Sequence, residues 1–294
     1  MEAVPELTPM MLDPHDSEGI SAHLSEHGYA VIEDVASPAE LATADALLWD
    51  GHLSGTLGWA RNDPLTWRDS VGYSDGIMTS AAHCDAMWYV RSLPRMAAAF
   101  ATAYGTEQFV AAFDAMSVNR PLSTRSPSVQ QRADTTYPHG KLNPARLHTH
   151  HDQEGYGEGE LICYGILPLY DMNQATGATA IVPGSHRKVK EINAWREQHG
   201  NTLEAFTTCG LTPAVLNCKA GSLVLFDTAL FHSECDAEDP TGRTGHGSDQ
   251  LLRAIFICSM TPTRLLARQG PHVFEARRRA YELDVCECLR VHIP

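Results

Sequence analysis

Five short apolar segments in the second half of the chain constrain its fold more than any other feature. They are rich in Val, Ile, Leu, Phe and Cys, and turns that contain Gly, Pro, Asn and Asp separate them. This pattern predicts β-strands at residues 160–170, 178–182, 214–218, 222–226 and 251–260. Short antiparallel strands joined by longer connections favour a cupin-like jelly roll, the double-stranded β-helix.

The first half of the chain predicts helices that pack against this core. Residues 37–40 (SPAE) form a capping box with proline at the first helical position, which predicts a helix running toward Trp49. A β-like run at 29–32 precedes it. Residues 80–104 predict two helices divided before a proline, and residues 106–113 predict another short helix that begins at a threonine cap.

The whole chain, residues 1–294, is expected to form a single α+β, mainly β domain. We expect an N-terminal helical part of about 1–115 packed on one sheet, and a jelly-roll core of about 147–262. A lid-like loop at 120–146 is expected between them, and a C-terminal helix at 272–284.

The charge and apolar patterning exclude several partners. The chain has 22 Lys and Arg against 36 Asp and Glu, a net charge of −14, which disfavours nucleic acid and anionic membranes. No stretch approaches the roughly 18 apolar residues that span a bilayer, and the start lacks the apolar run of a signal peptide. The eight scattered cysteines are typical of reduced, mostly buried thiols. We therefore expect a soluble cytoplasmic protein of undetermined oligomeric state.

A group of histidines and one aspartate forms a candidate metal site. On an extended chain, His150 and Asp152 point to the same side, and His232 follows a strongly apolar predicted strand. Two His and one carboxylate are the ligand set of non-haem Fe(II) oxygenases, which leaves coordination positions open. The alternative is a solvated polar turn. A second His-x-Asp, at His83 and Asp85, reads instead as the start of a helix.

Four motifs around this candidate site resemble those of the phytanoyl-CoA dioxygenase (PhyH) family. Residues 177–187 (GATAIVPGSHR) are similar to the family's "PGSHK" segment. Residues 220–226 (AGSLVLF), followed by His232, are similar to its "aGdlvlf…H" strand. Residues 252–256 (LRAIF) and 28–32 (GYAVI) resemble its late arginine strand and its N-terminal "GY-x-V-x" motif. The chain departs from the family at Thr149 and Thr176, which replace Trp and Asn.

The resemblance implies an Fe(II)- and 2-oxoglutarate-dependent dioxygenase that uses O2. His150, Asp152 and His232 would be the metal ligands, and the presence of Asp152 disfavours the halogenases of this superfamily. Hydroxylation of a small-molecule substrate, as in secondary metabolism, would be the usual outcome, with succinate and CO2 as co-products. Desaturation, ring closure and epimerisation need the same residues. A zinc hydrolase on the same triad and a non-catalytic ligand-binding jelly roll are the alternatives.

The distal carboxylate of 2-oxoglutarate requires a cation, for which a bidentate arginine is suited. Arg253 lies in an apolar strand, where its charge would need a buried anion, whereas Arg243 lies in a turn-rich segment. We therefore favour Arg253 and interpret residues 236–249 as an insertion. Asn119 and Tyr164 are further candidates for contacts with the co-substrate.

Residues 120–146 are predicted to cover the substrate. They contain four prolines and five Lys or Arg against one Asp, and they lead directly toward the candidate ligand His150. We expect a mobile lid that favours a polar or anionic substrate, with Arg120, Arg146 and His148 as candidate substrate contacts. The alternative is a surface loop whose charges offset acidic neighbours.

Overall fold

The computed structural model describes residues 4–68, 73–74, 76–120, 142, 146–149, 160–235, 237, 253–268, 270 and 272–283. The helices are α1 (Ser17–His27), α2 (Pro38–Ala46), α3 (Asp85–Arg91), α4 (Pro94–Tyr104), α5 (Val189–His199), α6 (Glu204–Thr207), α7 (Thr263–Arg268) and α8 (His272–Glu282). The strands are β1 (Glu6–Leu7), β2 (Met11–Leu12), β3 (Tyr29–Ile32), β4 (Tyr73–Ser74), β5 (Ile77–Met78), β6 (Phe109–Ala111), β7 (Met116–Asn119), β8 (Cys163–Pro168), β9 (Ala178–Ile181), β10 (Ala214–Leu216), β11 (Leu223–Asp227), β12 (His232–Cys235), β13 (Arg253–Ile257) and β14 (Met260–Pro262). A π-helix, Leu47–Ser54, directly continues α2.

The strands form two main sheets. The large sheet has the order β2-β3-β11-β8-β13-β7-β5-β4, and the small sheet has the order β1-β10-β9-β12. Strands β6 and β14 form a separate antiparallel pair. Within the large sheet, β8 and β13 lie at the centre, and both pair with their neighbours in antiparallel register. The protein is therefore a mixed α/β structure with an extensive antiparallel component.

Strand alternation divides the interior into two cores. On β3 and β11, Ala30, Ile32 and Leu225 face the N-terminal helices α1 to α4, with which they share one buried cluster. Val31 and Val224, on the opposite face, belong to a second cluster that includes residues of the small sheet and of α5 and α6. The N-terminal helices therefore pack on one face of the large sheet, and the small sheet packs on the other.

Most of the predicted elements are confirmed. The capping box forms, because the Glu40 amide donates to Ser37 Oγ at 3.3 Å and the Ser37 amide donates to Glu40 Oε2 at 2.8 Å. Strands β8 to β11 coincide with the first four predicted strand segments, and the fifth segment holds β13 and the start of β14. The two predicted helices, α3 and α4, are divided before Pro94. Helix α3 begins at Asp85, as the interpretation of the second His-x-Asp required.

The predicted helix at 106–113 is wrong. Residues Phe109–Ala111 form β6, which pairs with β14 in antiparallel register. Thr106 does accept a bond from a nearby backbone amide, that of Gln108 at 3.1 Å, but it stabilises a turn rather than a helix. Pairing with a strand about 150 positions later along the chain overrides the local helix signal.

Cysteine burial agrees with a further expectation. Of the six described cysteines, Cys163, Cys218, Cys235 and Cys258 are buried. Burial raises the pKa of the Cys218 thiol to about 12. In the described part of the chain, no helix has both the length and the apolar composition that a bilayer span requires.

Candidate functional site

A tight turn between β11 and β12 positions His232. The turn closes where Asp227 Oδ1 accepts a hydrogen bond from the Ala229 amide and Asp227 O accepts one from the Leu230 amide, both at 2.8 Å. The Phe231 amide donates to the buried Ser185 hydroxyl at 2.9 Å. Strand β12 then begins at His232, so the turn fixes where this imidazole lies.

The ring of His232 is oriented by its own backbone. Its Nδ1 lies 2.9 Å from the carbonyl oxygen of Leu230. Because a carbonyl oxygen only accepts hydrogen bonds, Nδ1 carries the proton, and Nε2 holds the lone pair of the neutral ring. Metal-bound histidines use this arrangement, in which the second ring nitrogen is anchored by a carbonyl or carboxylate.

A second histidine lies beside the first. His148 and His232 exchange backbone N–H···O bonds of 3.0 Å in both directions, and their ring centroids are 4.7 Å apart. The Nδ1 of His148 lies 2.8 Å from the carbonyl oxygen of Arg146, the same arrangement as in His232. Arg196 of α5 donates to the carbonyl oxygen of Leu147 at 2.9 Å and thereby fixes this segment. The two imidazoles therefore form a matched pair.

Both histidines line a cavity of about 470 Å³ between the two sheets. Tyr164 and Phe226 stack in its wall with ring centroids 5.9 Å apart, and the Phe226 ring lies 4.6 Å from that of His232. The apolar lining among the described residues consists of Ile77, Ala115, Ile166, Phe226, Ile255 and Ile257. A volume of this size with apolar walls and few polar groups is typical of small-molecule sites.

Arg253 is 2% exposed and lies at the first position of β13. Its Nη1 donates to the carbonyl oxygens of Ala178 and Cys235, both at 3.1 Å. Its Nη2 donates to Ser117 Oγ at 3.1 Å and to Glu234 Oε2 at 2.8 Å. Since Ala178 and Cys235 belong to the small sheet, this guanidinium connects the two sheets.

Two buried donors near this arginine have no acceptor among the described residues: Arg253 Nε and Asn119 Nδ2. Asn119 is the register partner of Arg253 across β7 and β13. Gly76, with φ +86°, lies against both Asn119 and Glu234, and a Cβ there would be 2.7 Å from Asn119 Oδ1. The absence of a side chain at Gly76 allows the Asn119 side chain to approach the backbone this closely.

The structure brings several of the predicted site residues together. His232, His148, Tyr164 and Arg146 line the cavity. Arg253 and Asn119 are absent from the described lining, but Arg253 pairs with Glu234, which does line it. His150, Asp152 and Arg243 lie outside the described residues, as does most of the loop at 120–146. Within the described ranges alone, no three His, Cys, Asp or Glu side chains are grouped to hold a metal.

Arg120, predicted as a substrate contact, is not among the described residues that line the cavity. Arg120 follows β7, and it is buried on the side opposite to Ser117 and Asn119. Its guanidinium lies 5.3 Å from the Trp59 ring centroid and donates to the carbonyl oxygen of Trp67. Strand alternation therefore directs this side chain into the helical core and away from the cavity lining.

Sequence reasoning missed Glu234, which lines the cavity and pairs with Arg253 at 2.8 Å. A signal for it was available, because Glu234 follows His232 by two positions on a strand and must share its face. Ser117, which bonds the same guanidinium, carried no comparable signal.

Comparisons with known proteins agree with this architecture. Solved structures with similar folds include the non-haem alpha-ketoglutarate-dependent carbocyclase SnoK from nogalamycin biosynthesis (15% identity, 85% of this chain and 87% of that chain covered, TM-score 0.54). The nickel complex of the non-haem monooxygenase ThoJ is similar at 14% identity, with 83% and 78% covered and a TM-score of 0.52. AviO1 from Streptomyces viridochromogenes Tue57 is similar at 16% identity, with 84% and 96% covered and a TM-score of 0.50.

A comparison with curated protein sequences gives no significant match. The family model of phytanoyl-CoA dioxygenase (PhyH), in contrast, matches residues 78–233. This match covers slightly more than half of the chain and ends one residue after His232. It includes strands β7, β8 and β11 of the large sheet and two of the four strands of the small sheet, β9 and β10. On this match, the chain belongs to the phytanoyl-CoA dioxygenase (PhyH) family.

Proposed function

We propose that the protein is an Fe(II)- and 2-oxoglutarate-dependent oxygenase that hydroxylates a C–H bond of a small-molecule substrate. The proposed metal ligands are His150, Asp152 and His232, and the proposed anchor for the distal carboxylate of 2-oxoglutarate is Arg253. The two facing sheets would be the walls of a double-stranded β-helix. Family membership and the geometry around His232 support this proposal.

The observation that carries the proposal is the orientation of His232. Its Nδ1 is committed to the Leu230 carbonyl, so the neutral ring offers Nε2 as a ligand atom. The side chain is 7% exposed and lines the cavity, so a metal bound there would be shielded and would face the space for a substrate. The segment that leads to His150 and Asp152 is bound to β12 through His148.

The polar groups behind the cavity fit a 2-oxo diacid. Arg253 supplies the charge, and the unpaired Nε of Arg253 and Nδ2 of Asn119 require acceptors that the described residues do not provide. A carboxylate oxygen is the strongest acceptor for such donors.

Bound iron and 2-oxoglutarate would together activate O2, which would be the oxidant for cleaving a strong C–H bond. The residues of the chain have other tasks. His232 holds one ligand nitrogen in a fixed orientation, and Arg253 orients the co-substrate from its distal end. Tyr164, Phe226 and Ile255 form walls that hold the substrate and exclude water.

Anaerobic titration with Fe(II) and 2-oxoglutarate tests the proposal. The wild-type protein should develop the weak visible metal-to-ligand charge-transfer band of this ternary complex. His232→Ala should abolish the band, whereas His15→Ala, which replaces an exposed histidine outside the described cavity lining, should retain it. A zinc-dependent hydrolase would show no such charge-transfer band.

A panel of metabolites scored by succinate formation would then identify the substrate and the type of oxidation. Absence of the band in the wild-type protein would overturn the oxygenase assignment. A band of unchanged strength in His232→Ala would overturn the ligand assignment alone.

A further inference from the structure

Arg253 already has an anionic partner in this chain. A guanidinium has five N–H donors, and in Arg253 four of them are used by Ala178, Cys235, Ser117 and Glu234. The partner with full charge is Glu234, at 2.8 Å. The anion that a buried arginine requires is therefore present before any ligand binds.

The four bonds differ in how easily a ligand can replace them. The two acceptors at Nη1 are backbone carbonyls within paired strands β9 and β12, and they cannot leave. The acceptors at Nη2 are side chains. Glu234 is 34% exposed and lies at the cavity lining, so its carboxylate can rotate away from Arg253 and toward solvent.

If Glu234 moves away from Arg253, one whole edge of the guanidinium becomes available to bind another carboxylate. The Nε–H and the adjacent Nη2–H of an arginine point the same way and bind one carboxylate through two parallel bonds. In Arg253, Nε has no acceptor among the described residues, and Nη2 is bonded to Glu234. The buried Nδ2 of Asn119, the register partner of Arg253, adds a third donor without an acceptor.

Two carboxylates cannot share this edge without repulsion. We propose that Glu234 occupies the co-substrate position on Arg253 in the resting protein and is displaced by the distal carboxylate of the 2-oxo acid. Glu234 is thus a specificity-determining residue that weakens 2-oxoglutarate binding. This inference rests on the function proposed above and adds a competing side chain to it.

The test is isothermal titration calorimetry with Mn(II)-loaded protein, in which the 2-oxo acid binds without turnover. Glu234→Gln removes the charge and keeps a side chain that can still bond Arg253, so the fold should be retained. We expect the Kd for 2-oxoglutarate to fall about fivefold, the effect of losing a partly exposed competing ion pair. Glu160→Gln, in a surface pair with Arg264 and Arg268, should leave the Kd unchanged.

The second arm uses 2-oxobutanoate, which lacks a distal carboxylate. Its Kd should be the same in wild type and Glu234→Gln, because it does not compete for Arg253. An unchanged or higher Kd for 2-oxoglutarate in Glu234→Gln would overturn the inference, as would equal tightening of both acids. If neither the wild type nor the variant binds 2-oxoglutarate, the proposed function itself is wrong.

Discussion

Substitution of Arg253 is predicted to weaken the contact between the two sheets, apart from any effect on ligand binding. The residue lies on β13 of the large sheet, and its Nη1 bonds Ala178 and Cys235 in the small sheet. These two residues are register partners in the β9–β12 ladder, so a single nitrogen binds both strands at their paired ends. Arg253→Ala removes this connection completely.

The magnitude follows from the bonds that are lost. A hydrogen bond from a charged donor contributes about 1.5 to 3 kcal/mol, so the two carbonyl bonds together contribute about 3 to 6 kcal/mol. The bond to Glu234 adds little, because that carboxylate is 34% exposed and can turn toward water. A loss of this size is a large part of the 5 to 15 kcal/mol typical of a whole domain.

Urea unfolding followed by circular dichroism measures this loss. Arg253→Ala should lower the free energy of unfolding by about 3 kcal/mol or more, and Arg253→Lys by less, because lysine retains a charged donor but not the planar fork. Glu234→Gln should change it by about 1 kcal/mol or less. If Arg253→Ala is within about 1 kcal/mol of wild type at an unchanged m-value, the guanidinium does not connect the sheets in the way inferred.

Three further outcomes are expected. Arg253→Lys should raise the 2-oxoglutarate KM far more than Arg243→Ala does, and the reverse order in steady-state assays would reassign the anchor. Ser37→Ala should cost about 1 kcal/mol of unfolding free energy at neutral pH. Hydrogen bonds from Ser37 lower the pKa of the Glu40 carboxyl, so this cost should shrink as the pH falls through that lowered pKa. A cost that does not change with pH would contradict the capping box. Gly165→Ala should lower the free energy of unfolding, measured with heat or urea, by about 1 to 3 kcal/mol, because the new Cβ would lie 2.7 Å from a buried carbonyl oxygen. An unchanged free energy of unfolding would mean that the strand shifts freely to make room.

The parts of the fold that depend on local patterns could be predicted from the sequence. The capping box at Ser37 and the strand at 29–32 are examples, because each involves residues that are neighbours along the chain. Strand β6 could not be predicted, since Phe109 pairs with Pro262 and only the tertiary fold brings the two together. The same limit applies to Arg120, whose burial near Trp59 depends on which face of β7 meets the helices.

The candidate site was predictable to a similar extent. An arginine in an apolar strand indicated an anionic partner, and the sequence analysis considered only 2-oxoglutarate for that role. The structure adds Glu234, which is distant from Arg253 by 19 positions in the chain and adjacent to it in space. His148 was expected near the predicted metal ligands. Its backbone hydrogen bonds with His232 hold it beside that residue.

The pairing of His148 with His232 also has a consequence for solubility. In the order of the small sheet, β12 is the last strand, and among the described residues the segment around His148 is what covers its open edge. An uncovered edge presents free N–H and C=O groups to strands of other molecules and promotes aggregation. Substitutions near His148 that release this segment would therefore reduce the yield of soluble protein. An inactive variant obtained in this way would resemble a catalytic defect unless the amount of monodisperse protein is measured alongside the activity.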